Sequence, residues 1–174
     1  MVNFLKAKFY FELSSEQNNA EALFNLGNMY DLGEGVIQDF SVAKKIYKIL
    51  AKMNNSEALL KLGDMHFNGH GVDVDIMKAK KYYELSMKQN NSTSIYKIGN
   101  LYYFGHGVEQ DYLKAIEYYE LSSQLNNHNA LFMLGKMYFY GYGVKQNYSK
   151  AQKYFELSFK HNNTESCIML GNIY

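Results

Sequence analysis

Two histidines set between glycines are the first residues in this 174-residue chain whose type and spacing could do chemistry. They are His70 in FNGHGV, residues 67–72, and His106 in FGHGV, residues 104–108. A glycine-flanked loop can cradle a phosphate on its backbone N–H groups, and two histidines can share a metal ion. The phosphate reading needs further glycines at fixed offsets after a strand, and neither is present. The metal reading fails on distance. Side chains one repeat apart would stand roughly 10 Å from each other, the spacing of packed helices, whereas zinc ligands bind near about 2 Å. The loop therefore reads as punctuation. Gly-x-Gly admits backbone angles that a side chain would forbid and lets the chain reverse in few residues. Its middle residue runs Glu34, His70, His106, Tyr142 and is expected to point outward as a spacer.

His66 stands where Tyr30, Tyr102 and Tyr138 stand elsewhere, so it is read as a satisfied core or rim histidine. Cys167 falls where Leu23, Leu59, Ile95 and Leu131 fall and is read as a small core hydrophobe rather than a nucleophile. With one cysteine in the chain, no intrachain disulfide can form. No nucleophile, base and orienting group depart together from the repeating pattern. The expectation is no catalytic residue, no metal, no cofactor and no enzyme.

The elements that position these residues repeat. Gly27, Gly63, Gly99, Gly135 and Gly171 are 36 residues apart, as are Ala7, Ala43, Ala79, Ala115 and Ala151. Paired asparagines begin at Asn18, Asn54, Asn90, Asn126 and Asn162 with the same step. A period of this length without insertions reads as a stack of like units. Each unit holds two helices: Ala58, Leu62 and His66 step by four in the first, and Ala115, Tyr118, Tyr119 and Ser122 share a face of the second. Asp39, Asp75, Asp111 and Asn147 are placed to cap the second helices. The first asparagine of each pair suits a left-handed position past a helix end, and the second can cap the helix that follows. The expected organisation is one all-α solenoid domain over 1–174. It comprises a half repeat at 1–18, repeats at 19–54, 55–90, 91–126 and 127–162, and a half repeat at 163–174.

The pattern A-x-x-x-L-G-x-M-Y-x-x-G-x-G-V-x-x-D-x-x-K-A-x-x-Y-Y resembles the Sel1-like repeat, a relative of the tetratricopeptide repeat. It runs through Ala22, Leu26, Gly27, Tyr30, Gly33, Gly35, Val36, Asp39 and Ala43. It recurs through Ala130, Leu134, Gly135, Tyr138, Gly141, Gly143, Val144 and Ala151. Ile46, Tyr82, Tyr118 and Tyr154 replace the family's usual tryptophan, and Ser86, Ser122 and Ser158 its usual alanine. The resemblance implies a right-handed superhelix that acts as a protein-interaction scaffold.

In such superhelices the first helices line the inner surface, which directs attention to one stripe on each. The stripe carries Glu21, Phe24, Asn28 and Asp31 in the first repeat, and Glu57, Leu60, Asp64 and Phe67 in the second. Thr93, Tyr96, Asn100 and Tyr103 follow in the third, and Asn129, Phe132, Lys136 and Phe139 in the fourth. Asparagine there can offer both donor and acceptor to a peptide backbone, and the aromatics supply flat contact area at low entropy cost. Asn28, Asp64, Asn100 and Lys136 are expected to face a partner-binding groove. Phe24, Tyr96 and Phe132 either join them or pack between repeats.

Composition narrows the partner class. Net charge is +1, which gives no electrostatic case for nucleic acid or an anionic membrane. The opening MVNFLKAKFYFELSS mixes lysine and glutamate among its apolar residues, so no signal peptide is read and a cytoplasmic location is expected. A protein or peptide ligand remains. Residues 3–17 match a second helix without its first, and residues 163–174 a first helix without its second. Phe4, Tyr10 and Phe11 at one end, and Ile168, Leu170 and Ile173 at the other, are expected to expose apolar surface. Head-to-tail self-association is one consequence; the other is that the chain is the repeat portion of a larger protein with a separate effector domain, whose neighbouring segments cover both ends.

Overall fold

The computed structural model describes Lys8, Phe9, Phe11, Leu13, residues 19–161 and residues 163–173. The four separate residues near the start have helical backbone. The helices that follow are α1 (Ala20–Leu32), α2 (Phe40–Lys52), α3 (Ser56–Asn68) and α4 (Ile76–Met87). After them come α5 (Ser92–Phe104), α6 (Tyr112–Gln124), α7 (His128–Tyr140), α8 (Tyr148–Lys160) and α9 (Glu165–Gly171). The chain divides into two compact units, Met1–Gln89 and Asn90–Tyr174. Within each unit, consecutive helices pack on one another as antiparallel hairpins.

Caps set the boundaries. Oδ1 of Asn55, Asn91 and Asn127 accepts from the N–H of Ala58, Ser94 and Ala130 at 2.9–3.1 Å. Asp75, Asp111 and Asn147 do the same for the second helices at 2.9–3.0 Å. The first asparagines Asn54, Asn90 and Asn126 sit at φ of 58°, 57° and 61°, the left-handed region expected of them. Asn18 and Asn162 lie outside the described residues.

The Gly-x-Gly loop does more than reverse the chain. Gly71 has φ +64°, and a Cβ there would come 2.5 Å from Cβ of Phe40, at the start of the preceding repeat's second helix. Gly143 meets Tyr112 in the same way in the second unit. The middle residues Glu34, His70, His106 and Tyr142 are exposed, as expected, but three of them also lie on a ring. The His70 ring stacks on Phe40 at 4.8 Å and Tyr142 stacks on Tyr112 at 5.3 Å, while His106 lies against Phe104 at 5.4 Å. With the two flanking glycines in left-handed backbone, the residue between them lies along a neighbouring aromatic ring.

Each hairpin closes over a glycine. A Cβ on Gly27 would lie 2.8 Å from the Tyr47 ring, and one on Gly99 2.7 Å from Tyr119. The absent side chain lets an aromatic ring of the second helix lie flat on the first. Tyr47, Tyr83, Tyr119 and Phe155 are fully buried in this position. The buried Ser86, Ser122 and Ser158 then tie the second helix back, donating Oγ–H to the carbonyls of Ser56, Ser92 and His128 at 2.7–2.8 Å. A hydroxyl replaces alanine here without an unsatisfied group.

Candidate functional site

The stripe on the first helices was expected to be open, and its polar residues are instead engaged by their own hairpins. The Tyr47 hydroxyl donates to Asn28 Oδ1 at 2.8 Å, Tyr83 to Asp64 at 2.7 Å and Tyr119 to Asn100 at 2.7 Å. Each acceptor is half-buried. The physical cause is the aromatic ring on the glycine, which carries its hydroxyl across the hairpin to the next turn of the first helix. In the fourth repeat the ring is Phe155, which has no hydroxyl, and the matching residue is Lys136, 5.8 Å over the Phe132 ring. Burial holds the Tyr47, Tyr83 and Tyr119 phenols well above the usual tyrosine range. The charges of Asp31 and Asp64 add to this for Tyr47 and Tyr83, and Tyr96 and Tyr103 add to it for Tyr119.

The remaining stripe residues divide by depth. Glu21 and Glu57 are exposed in the first turns of α1 and α3. Phe24, Tyr96 and Phe132 are half-buried, with rings 5.9, 5.8 and 5.7 Å from Tyr47, Tyr119 and Phe155. They pack inside their own repeats and keep one edge outward. Phe67 is half-buried, as is Phe139, 5.2 Å from Tyr148. Tyr103 departs from expectation: it is 8% exposed, ringed by Phe104, Tyr112, Tyr119 and Tyr142. Burial and those neighbouring phenols push its pKa up to about 12, and it belongs to the core. Lys61 pairs with Asp31 at 3.4 Å.

Two other readings are corrected. Cys167 is exposed, although Leu59, Ile95 and Leu131 at matching positions are buried. Those residues lie in repeats whose second helix follows, and none follows α9 among the described residues. His66 is 7% exposed and stacks on Tyr82 at 5.6 Å, but its Nδ1 has no hydrogen-bond partner, so it is not satisfied. At the chain ends, Ile168 is 68% exposed as expected. Phe11, Leu170 and Ile173 are partly exposed, also as expected, and pack on neighbouring core clusters. Phe4 and Tyr10 lie outside the described residues. Sequence reading passed over Lys48, where matching positions carry Glu84, Glu120 and Glu156. The charge reversal was the available signal.

Among the described residues no three His, Cys, Asp or Glu side chains are grouped to hold a metal ion, and no helix is long and apolar enough to cross a membrane. Together, the paired helices, their glycine contacts and their loops make an all-α repeat solenoid. A crystal structure of a Sel1 repeat protein from Oxalobacter formigenes is similar, with a TM-score of 0.91 and 30% identity, over 97% of this chain and 69% of that one. A second is c5321, described as a protective antigen of uropathogenic Escherichia coli. It has a TM-score of 0.83 and 28% identity, over 95% of this chain and 36% of that one. Cysteine rich protein B of Helicobacter pylori, at a TM-score of 0.60 and 24% identity over 76% of this chain and 96% of that one, shares the fold. No curated protein matches the chain by sequence. The model of the Sel1 repeat matches residues 2–19, 20–55, 56–91, 92–127 and 128–163, each full repeat one residue later than the asparagine pairs suggested. With these repeats filling nearly its whole length, the chain belongs to the Sel1 repeat family, whose members commonly serve as protein-interaction scaffolds.

Proposed function

We propose that this chain is an interaction module whose repeats present the first-helix stripe to a protein or peptide partner. The observation that carries this reading is the recurring, immobilised amide of Asn28 and Asn100. With each Oδ1 fixed by a tyrosine hydroxyl, the Nδ2 donors are held in place before any ligand arrives. Preorganisation of this kind lowers the ordering cost of binding. The outward edges of Phe24, Tyr96, Phe132, Phe67 and Phe139 add apolar area. Glu21, Glu57 and Lys136 add charge at positions that hold no core together. A cytoplasmic location belongs to the same proposal.

Partners are captured from the native host, identified, and their affinity measured with purified components. Glu57→Lys, Lys136→Glu and Glu21→Lys are expected to weaken binding without lowering the melting temperature. Unchanged affinity in all of them, with loss on substituting exposed second-helix residues such as Lys81 or Glu117, would remove the reading. The exposed Ile168 favours a second reading, self-association through α9. Light scattering across a concentration series tests it, and a strict monomer unaffected by Ile168→Lys rules it out.

A further inference from the structure

Departures from a repeating pattern are informative when they meet in space. In the first unit, two of them do. His66 replaces the tyrosine of the other repeats and Lys48 replaces their glutamate, while Lys44 holds a position that is also lysine in the second repeat (Lys80) and is Ile116 and Gln152 in the second unit. All three line one cavity of about 390 Å³, together with Val72, Asp73, Asp75, Lys78 and Tyr82. That volume falls in the range of small-molecule sites.

The matching place in the second unit shows what the departures change. There Tyr138 stacks on Tyr154 at 5.7 Å, Lys150 lies 5.0 Å over the Tyr138 ring, and Glu120 acts on Tyr154. A carboxylate stands there in place of Lys48. Beside Tyr102 a cavity of about 460 Å³ is also present, but its one lysine, Lys114, is paired with Asp111 at 3.2 Å. In the first unit, among the described residues, no carboxylate lies within 4.0 Å of the ammonium groups of Lys44, Lys48 or Lys78. Lys44 Nζ donates one hydrogen bond, to the Gly71 carbonyl at 2.9 Å, which holds it at the cavity edge. Asp75 Oδ1 is occupied by the Lys78 N–H as a helix cap. His66, buried and stacked, has an imidazole nitrogen without a partner. Burial and the charges of Lys78, Lys44 and Lys48 hold it below the usual histidine pKa, with Asp75 opposing.

We infer that the cavity between α2, α3 and α4 is a binding site for a phosphoryl group, gripped by Lys44, Lys48 and Lys78 with His66 at its floor. Several ammonium groups reward a dianion more than a single carboxylate, and a phosphoryl group carries about −1.5 to −2 at neutral pH with three acceptor oxygens. The bound dianion opposes the lysine charges that depress His66, so binding raises the histidine pKa. The site is separate from the first-helix stripe and does not depend on it.

The test follows the His66 ring resonances of the full chain by NMR at constant ionic strength. Inorganic phosphate, a phosphoserine peptide and its unphosphorylated form are added in turn. Saturable shifts and a raised His66 pKa are expected with the phosphorylated probes and not with the plain peptide or chloride. Tighter binding of inorganic phosphate assigns a free phosphate ligand; tighter binding of the phosphopeptide assigns a modified partner side chain. His66→Tyr and Lys48→Glu install residues that the other repeats already hold, so both fold. Calorimetry should show each losing at least tenfold in affinity. No saturable response at millimolar phosphate, or equal binding by both variants, overturns the inference.

Discussion

Replacing Asn100 with alanine strands the hydroxyl of Tyr119, a side chain with no solvent exposure whose O–H donates to Asn100 Oδ1 at 2.7 Å. A buried donor left without a partner costs about 1–3 kcal/mol. Tyr119→Phe removes the donor as well, and the half-buried Asn100 then reaches water. Its cost should stay near the net worth of one hydrogen bond, about 0.5–1.5 kcal/mol. In the double variant no group is stranded, so it should be scarcely less stable than Tyr119→Phe alone. The resulting coupling equals the cost of Asn100→Ala, about 1–3 kcal/mol, inside the range for residues in direct contact. The fourth repeat is the natural control, since Phe155 there faces Lys136 and no such hydrogen bond exists. Urea unfolding followed by circular dichroism gives the three stabilities. Hydrogen exchange at the amides of α5 and α6 locates the loss, which matters because repeat arrays open in parts. Additive single effects, within about 0.5 kcal/mol, would refute the claim that these residues act as a pair.

Three further outcomes follow from the packing. Gly99→Leu drives a branched side chain into the Tyr119 ring, which a bare Cβ would already approach to 2.7 Å, and should cost about 1–3 kcal/mol or more in thermal unfolding. Asn126→Gly should leave stability unchanged or higher, whereas Asn126→Val, forced to φ of 61°, should lower it by about 1–3 kcal/mol; equal melting temperatures for the two would contradict the left-handed cap. For Tyr103 the folded pKa stands above the ordinary 10.0, at about 12. Its contribution to stability is therefore complete below about pH 10 and is lost as pH rises toward 12, and absorbance at the phenolate band should show its ionisation delayed until the fold opens.

The period, caps and left-handed asparagines were legible because each is dictated within a few residues of backbone. Asn91, for instance, needs only the N–H of Ser94 to declare its role. The Tyr119–Asn100 bond was not legible from the stripe alone. A polar residue on a helix face looks the same whether it meets a ligand or a hydroxyl 19 residues away on the next helix. Pairing in the sequence held the clue: tyrosine goes with Asn28, Asp64 and Asn100, and phenylalanine with Lys136. His70 is exposed, as read from the loop, but its stacking on Phe40, a residue of the preceding repeat, lies beyond the reach of any local rule. For Cys167, the repeat register was right and the covering helix was missing.

The Cβ of Phe40 or of Tyr112, seated against a glycine of the following loop, joins the two full repeats of each unit in the same way. A joint that does not depend on which repeats it connects sets no limit on their number. Genes for such chains can lengthen or shorten by recombination between like segments, provided whole multiples of 36 codons move. Within such an array, novelty comes from letting one joint drift while its neighbours carry the structure. The cavity beside His66 has the form of that drift: two positions, His66 and Lys48, changed from the tyrosine and glutamate of the other repeats, inside a scaffold that tolerates the change.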